Sequence, residues 1–135
     1  MSRRSRSRLN PRAPDIEMRQ PPAIETLGAG GFRVSGQWRP GSLLLLDDVP
    51  TTWRPRSLED VTPEDFADVI VAGPAVSEFV LLGTGATQGL PSRAVREAIR
   101  RAGLGLEFMA TPSAARTYSV LISEGRRFAV GLIAV

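Results

Sequence analysis

A run of small and hydroxylated residues, Gly83-Thr84-Gly85-Ala86-Thr87-Gln88, follows the apolar stretch Phe79-Val80-Leu81-Leu82 and precedes a helical pattern that opens at Ser92. Strand–loop–helix junctions of this kind present unpaired backbone N–H groups to an anion or ligand. Two further segments carry groups able to bind. Thr111-Pro112-Ser113-Ala114-Ala115-Arg116-Thr117-Tyr118 offers Arg116, a planar donor for a carboxylate or phosphate, and Tyr118, a donor for a pocket. Glu124-Gly125-Arg126-Arg127 places arginines near a helix C-terminus, where they complement the partial negative charge. The candidate ligand or partner surface is therefore Gly83, Thr84, Gly85, Thr87, Arg116, Tyr118, Glu124 and Arg127. The competing expectation pairs Arg116 with an acid such as Glu124 and buries Tyr118 in the core. A dinucleotide fingerprint is begun but not completed. Gln88 occupies its third glycine position, Gly89 comes one residue late and Pro91 delays the helix, although Glu107 lies about where an acid would meet a ribose.

Composition removes most catalytic chemistry from consideration. The 135 residues include no cysteine, no histidine and no lysine, so all 17 basic residues are arginines. A Ser-His-Asp triad, a cysteine nucleophile, a Walker lysine and a lysine Schiff base are excluded, and the usual zinc sites lack their ligands. Asp47 and Asp48 are a carboxylate pair in sequence, but adjacent strand residues point to opposite faces, which disqualifies them as an acid/base dyad. Trp38 and Trp53, flanked by Arg39 and Arg54, read as partly buried anchors. Neither a catalytic set nor a cofactor or metal is expected.

Charge is unevenly spread. Residues 1–14 hold five arginines and no acid, while the remainder carries 12 arginines against 14 acids. The body is mildly acidic, and nothing in it resembles a nucleic-acid-binding face. Residues 1–14 read as a disordered Arg/Ser-rich tail, and residues 15–135 as a single α/β domain. No apolar run approaches the roughly 18 residues of a membrane-spanning helix.

The elements that must position these groups follow from pattern and punctuation. Residues 24–48 read as antiparallel strands: Phe32-Arg33-Val34-Ser35 alternates, turns fall at Gly28-Ala29-Gly30-Gly31 and Pro40-Gly41, and Leu43-Leu44-Leu45-Leu46 is buried on both faces. Thr62-Pro63-Glu64-Asp65 opens a short helix that Gly73-Pro74 stops. A strand at Phe79 to Leu82 leads to a helix from Ser92 to Ala102, with Ala94, Val95, Ala98, Ile99 and Ala102 on its inner face and Gly103 as C-cap. A strand at Leu104 to Met109, a helix with Ala114, Ala115, Tyr118, Leu121 and Ile122 inward, and a strand from Phe128 to Val135 complete the chain. Two consecutive helical crossovers imply a three-layer α/β domain on a mixed central sheet with a β-α-β-α-β second half, the N-terminal strands forming a smaller layer or edge.

Taken together, Phe79-Val80-Leu81-Leu82-Gly83-Thr84-Gly85, Ala115-Arg116-Thr117-Tyr118 and Glu124-Gly125-Arg126-Arg127 resemble the family of the mitochondrial complex I assembly factor 3 proteins and their bacterial homologues of unknown function. The resemblance covers roughly residues 24–135, and Ser119 departs from it where asparagine is expected. It implies a three-layer α/β fold with a mixed sheet. Its mitochondrial members imply assembly of NADH:ubiquinone oxidoreductase through protein partners, and no enzymatic activity is established for the family. The functional expectation is a non-enzymatic protein-binding module that assists assembly of a respiratory complex, its partner a subunit of that complex. The location is cytoplasmic if the chain is bacterial and mitochondrial if it is eukaryotic. The alternative is a small-anion or small-molecule binder, or a weak enzyme, using residues 83–88.

Overall fold

The structure is a computed structural model that describes residues 19–135. The expected tail, residues 1–14, lies outside the described residues. Strands β1 (Ile24–Gly28), β2 (Gly31–Val34) and β3 (Gln37–Pro40) form a small antiparallel sheet. Its two hairpin turns are two residues long, Ala29-Gly30 and Ser35-Gly36, and all four residues have positive φ. Turns of that hand match the twist of the strands they join. Strands β4 (Ser42–Leu46) and β5 (Val49–Trp53) make the next hairpin. Asp47 and Asp48, which end the leucine strand, are its turn residues, at φ +51° and +66°.

The second half supplies α1 (Ala67–Ala72), β6 (Phe79–Gly83), α2 (Arg93–Arg101), β7 (Gly105–Met109), α3 (Thr111–Ser123) and β8 (Ala129–Leu132). The central sheet has the order β5-β4-β8-β6-β7. Strand β6 runs parallel to both β7 and β8, and β4 runs antiparallel to β8 and β5. The mixed sheet and the β-α-β-α-β second half are those anticipated from the crossovers.

Alternation along the strands divides the core into two layers. Leu44, Val80 and Leu82 face α1 and α2, packing on Phe66, Val69, Val95 and Ile99. Leu43, Leu45, Leu81, Val130 and Leu132 face the other way, onto Ala114 and Tyr118 of α3 and onto Phe32 and Val34 of the small sheet. Three layers result, with the small sheet sharing one outer layer with α3. Helix α2 is capped by Ser92, whose hydroxyl accepts from the Val95 N–H at 3.2 Å. Ala94, assigned to its inner face from spacing, is exposed; Val95 and Ile99 carry the burial.

Trp53 anchors the edge strand β5. Its indole N–H donates to the Asp65 carbonyl at 3.0 Å, and its ring packs edge-on to Phe66. Gly131 leaves room for it: a Cβ there would lie 2.7 Å from Cη2 of the indole. Next to it, Arg54 donates to both carboxylate oxygens of Asp65, at 2.8 and 2.7 Å, and to Asp60 Oδ1 at 3.0 Å. Asp65 also accepts from the Thr62 N–H at 2.8 Å, which fixes the 3-10 turn Pro63–Phe66 that precedes α1. The Arg54 guanidinium holds the Asp65 carboxyl below its ordinary range.

Two predictions follow. Gly131→Ala forces the indole to move and lowers stability by about 1–3 kcal/mol, read as a lower urea midpoint with unchanged slope. For Asp65, a depressed folded pKa means stabilisation that is present above the ordinary carboxylate value and lost as pH falls through the folded value. Asp65→Asn therefore lowers the denaturation midpoint at pH 7, and its deficit relative to the parent shrinks as pH drops below about 4.

Candidate functional site

Strands β5, β6, β7 and β8 all point their carboxyl ends the same way, and residues 83–89 lie there. The connection after β6 leaves toward α2 on one face of the sheet, and that after β7 toward α3 on the other. A crevice between two strands with such diverging connections is where open α/β sheets bind ligands. Here the chain fills it. The Gly85 N–H donates to Thr111 Oγ1 at 2.9 Å, and the Thr111 hydroxyl donates onward to the Ile133 carbonyl at 2.8 Å. The Thr111 N–H donates to the Gly85 carbonyl at 2.7 Å, the Thr84 N–H to the Met109 carbonyl at 2.8 Å, and the Ile133 N–H to the Gly83 carbonyl at 3.0 Å. Thr84 Oγ1 donates to the Thr87 carbonyl at 2.7 Å and accepts from the Gly89 N–H at 3.2 Å.

The two glycines of the loop serve this closure. A Cβ on Gly83 would lie 2.8 Å from Leu132 Cδ2 and 2.9 Å from Thr111 Oγ1, so glycine is what lets α3 start against β6. Gly85 adopts φ +111°, which L side chains rarely take. Thr111 does not cap the helix it opens: its hydroxyl bridges the ends of β6 and β8, and Ala110 occupies the N-cap position. Gly83, Thr84 and Gly85 are buried, and only Thr87 of the loop candidates is exposed.

The remaining sequence candidates lie elsewhere. Tyr118 is buried on the inner face of α3, donates to the Pro22 carbonyl at 2.6 Å and packs edge-on to Phe128. Burial pushes its phenol above the usual range, and the Asp48 carboxylate adds to the shift. Arg116 is exposed on the outer face of α3, where it donates to Ser113 Oγ at 3.2 Å and not to Glu124. Helix α3 runs the length of the sheet, so Glu124 at its end falls at the opposite edge from the Gly83 loop. Arg127 is there too, donating to Asp47 at 3.4 Å, while its carbonyl accepts from the Glu78 N–H just before β6. The eight residues therefore do not share one surface.

Two groups escaped the sequence reading. Arg19 donates to both oxygens of Asp48 at 3.0 Å, and to the Gly125 and Arg126 carbonyls at the end of α3. Arg56 lines an open cleft of about 400 Å³ formed by residues 56–59, 84–89 and 133–134. A second cleft of about 420 Å³, bounded by Gly30, Pro40, Gly41 and Ser42, shares Arg56 and Ala134 with the first. No spacing rule singles out an arginine after Pro55 in a stretch without regular structure. Among the described residues no group of acids is placed to hold a metal ion, and no helix is long and apolar enough to cross a membrane.

These features define a three-layer α/β domain with a mixed sheet whose usual ligand crevice is filled by its own threonine. Residues 24–133 match the family described as a protein of unknown function (DUF498/DUF598), and the chain belongs to that family. It is 33% identical over 111 residues to the rat NADH dehydrogenase (ubiquinone) 1 alpha subcomplex assembly factor 3, covering 82% of this chain and 59% of that protein. The chain thus spans about three fifths of that relative's length. An uncharacterized protein of Rhodobacter capsulatus is 31% identical over 125 residues, 93% of each chain. The crystal structure of an outer membrane protein from Bartonella henselae superposes with a TM-score of 0.78 at 29% identity, covering 84% of this chain and 95% of that one. The resemblance first read from three short segments extends over nearly the whole described chain.

Removing the bridging hydroxyl tests the closure. Thr111→Val keeps the shape but leaves the Gly85 N–H and Ile133 carbonyl without their partner, at a cost of about 1–3 kcal/mol for each buried group. Thr111→Ser retains the bonds and loses less. Guanidinium denaturation ranks the three proteins, and hydrogen exchange at the Gly85 amide accelerates only in the valine variant.

Proposed function

We propose that this protein is a non-enzymatic protein-binding module that assists the assembly of a respiratory complex of the NADH dehydrogenase type. The observation that carries the proposal is the match to proteins named as assembly factors of that enzyme, which extends over 82% of the chain. The filled crevice supports it. The Thr84 and Gly85 amides already have internal acceptors, so the Gly-Thr-Gly segment acts as a structural joint. Of the candidates picked from sequence, Thr87, Arg116, Glu124 and Arg127 are exposed and can meet a partner, whereas Gly83, Thr84, Gly85 and Tyr118 shape that surface from within.

Affinity purification of the full chain from its own host, tagged at its chromosomal locus and kept at native expression, tests this reading. NADH dehydrogenase subunits are expected to co-purify, and deletion of the gene is expected to lower the assembled complex on native gels. An unchanged complex together with no co-purified subunit overturns the proposal.

A further inference from the structure

The two clefts that meet at Arg56 form one groove across the carboxyl end of the sheet. Its floor is apolar where Ile133, Leu58 and Ala134 lie. One rim carries three consecutive exposed residues, Ala86, Thr87 and Gln88, whose N–H groups have no acceptor among the described residues. The neighbouring amides of Thr84, Gly85 and Gly89 are all engaged internally. The groove therefore offers a line of main-chain donors at its edge and no deep cradle.

Arg56 is the cation at its centre. The ion pairs among the described residues engage Arg19, Arg54, Arg100, Arg101, Arg126 and Arg127, but not Arg56. Of the acids nearby, Asp60 and Asp65 are already committed. Asp65 and Asp60 both accept from Arg54, and Asp60 Oδ2 accepts from the main-chain N–H of Arg56 at 3.1 Å. The Arg56 guanidinium is left exposed with its planar donor fork unengaged, the geometry that suits a carboxylate. Glu59 lies on the same wall. One guanidinium set against one carboxylate favours a single negative charge over a phosphate dianion.

We propose that this groove seats an extended segment of a partner protein, with Arg56 gripping an Asp or Glu side chain of that segment. The inference rests on the partner-binding reading above and says where and by what chemistry the partner is held. An extended chain brings carbonyls to the donors of the 86–88 rim, apolar side chains to the floor and a carboxylate to Arg56, one of the recurrent ways in which peptides are recognised. A small ligand would need walls that enclose most of its surface, and this groove is open along its length.

Panning a phage-displayed random heptapeptide library against the full-length protein tests the proposal. Enriched peptides are expected to share an Asp or Glu, and fluorescein-labelled copies give dissociation constants by anisotropy. Arg56→Ala weakens binding about 10-fold, the scale of one charge-assisted pair. Arg116→Ala, outside the groove, changes it less than about 2-fold. Replacing the peptide acid by its amide costs the same factor in the parent protein and nothing further in the Arg56→Ala protein. In the parent protein, peptide binding shifts the amide resonances of Ala86, Thr87 and Gln88. Peptides without an acid, indifference to Arg56→Ala, or no enrichment at all overturns the proposal. Arg56 has no side-chain partner among the described residues, so an unchanged thermal midpoint shows that the variant reports binding and not stability. Co-purification of NADH dehydrogenase subunits undiminished by Arg56→Ala removes the groove and leaves the assembly reading standing. Arg56-dependent peptide binding with no co-purified subunit and an unchanged complex on gene deletion keeps the groove and removes that reading.

Discussion

The hydroxyl of Thr111 sits where the carboxyl ends of β6 and β8 meet the start of α3, and the architecture of that end of the molecule depends on it. It accepts from Gly85 on one side and donates to Ile133 on the other, while the Thr111 amide returns a bond to Gly85. Thr111 is fully buried, so these bonds act in a medium where an unmade partner is costly and a complete network is rigid. The arrangement also demands a close approach that only glycine at position 83 permits. A strand end, a loop and a helix start are thereby locked in one register. In the loop beyond them, the main-chain N–H groups of residues 86–88 have no acceptor among the described residues.

The opposite end of the sheet is tied by a different device. Arg19 reaches across the Asp47-Asp48 turn to the last carbonyls of α3, and Tyr118 holds the Pro22 carbonyl from inside that helix. Asp48 raises the Arg19 pKa further through a paired hydrogen bond, so this tie stays charged at any physiological pH. Arg126 lies over the Phe79 ring at 5.3 Å and donates to Glu78, closing the edge beside it. The segment that makes the Arg19 and Pro22 contacts precedes residues 24–133, the family-matched part of the chain, yet it covers the second core layer.

How much of this was legible in the sequence depends on how local each cause is. Alternation and helical spacing located the strands and helices, and the two crossovers gave the mixed sheet, because those signals repeat along the chain. Asp47 and Asp48 end the leucine strand, but their tight turn was not marked in the sequence: it comes from positive φ, and Asp adopts that conformation without the glycine that usually marks it. Ala94 was assigned inward by spacing, but α2 meets the sheet chiefly through Val95 and Ile99. The function of Thr111 could not be read, since its acceptor Ile133 is 22 positions away and a Thr-Pro start looks like an ordinary cap. The first and third family segments meet where Arg126 lies over the Phe79 ring, but Gly83 to Gly85 sit at the other end of that strand, so sharing a motif set did not bring the polar candidates together.

The all-arginine composition has a consequence at the groove that neither segment nor spacing announces. Most arginines among the described residues are held by an acid or a carbonyl nearby, and a lysine in the same places would satisfy its charge with fewer geometric demands. Arg54 takes up Asp60 and Asp65, so neither of these carboxylates pairs with the guanidinium of Arg56 two positions on. A neighbouring ion-pair network thus creates an unengaged guanidinium, just as the Thr111 bridge creates an unengaged rim of amides. The two meet at one groove because β5 and β6 end on the same side of the sheet. Interactions that close the interior of this fold are the same ones that decide which donors remain on its surface.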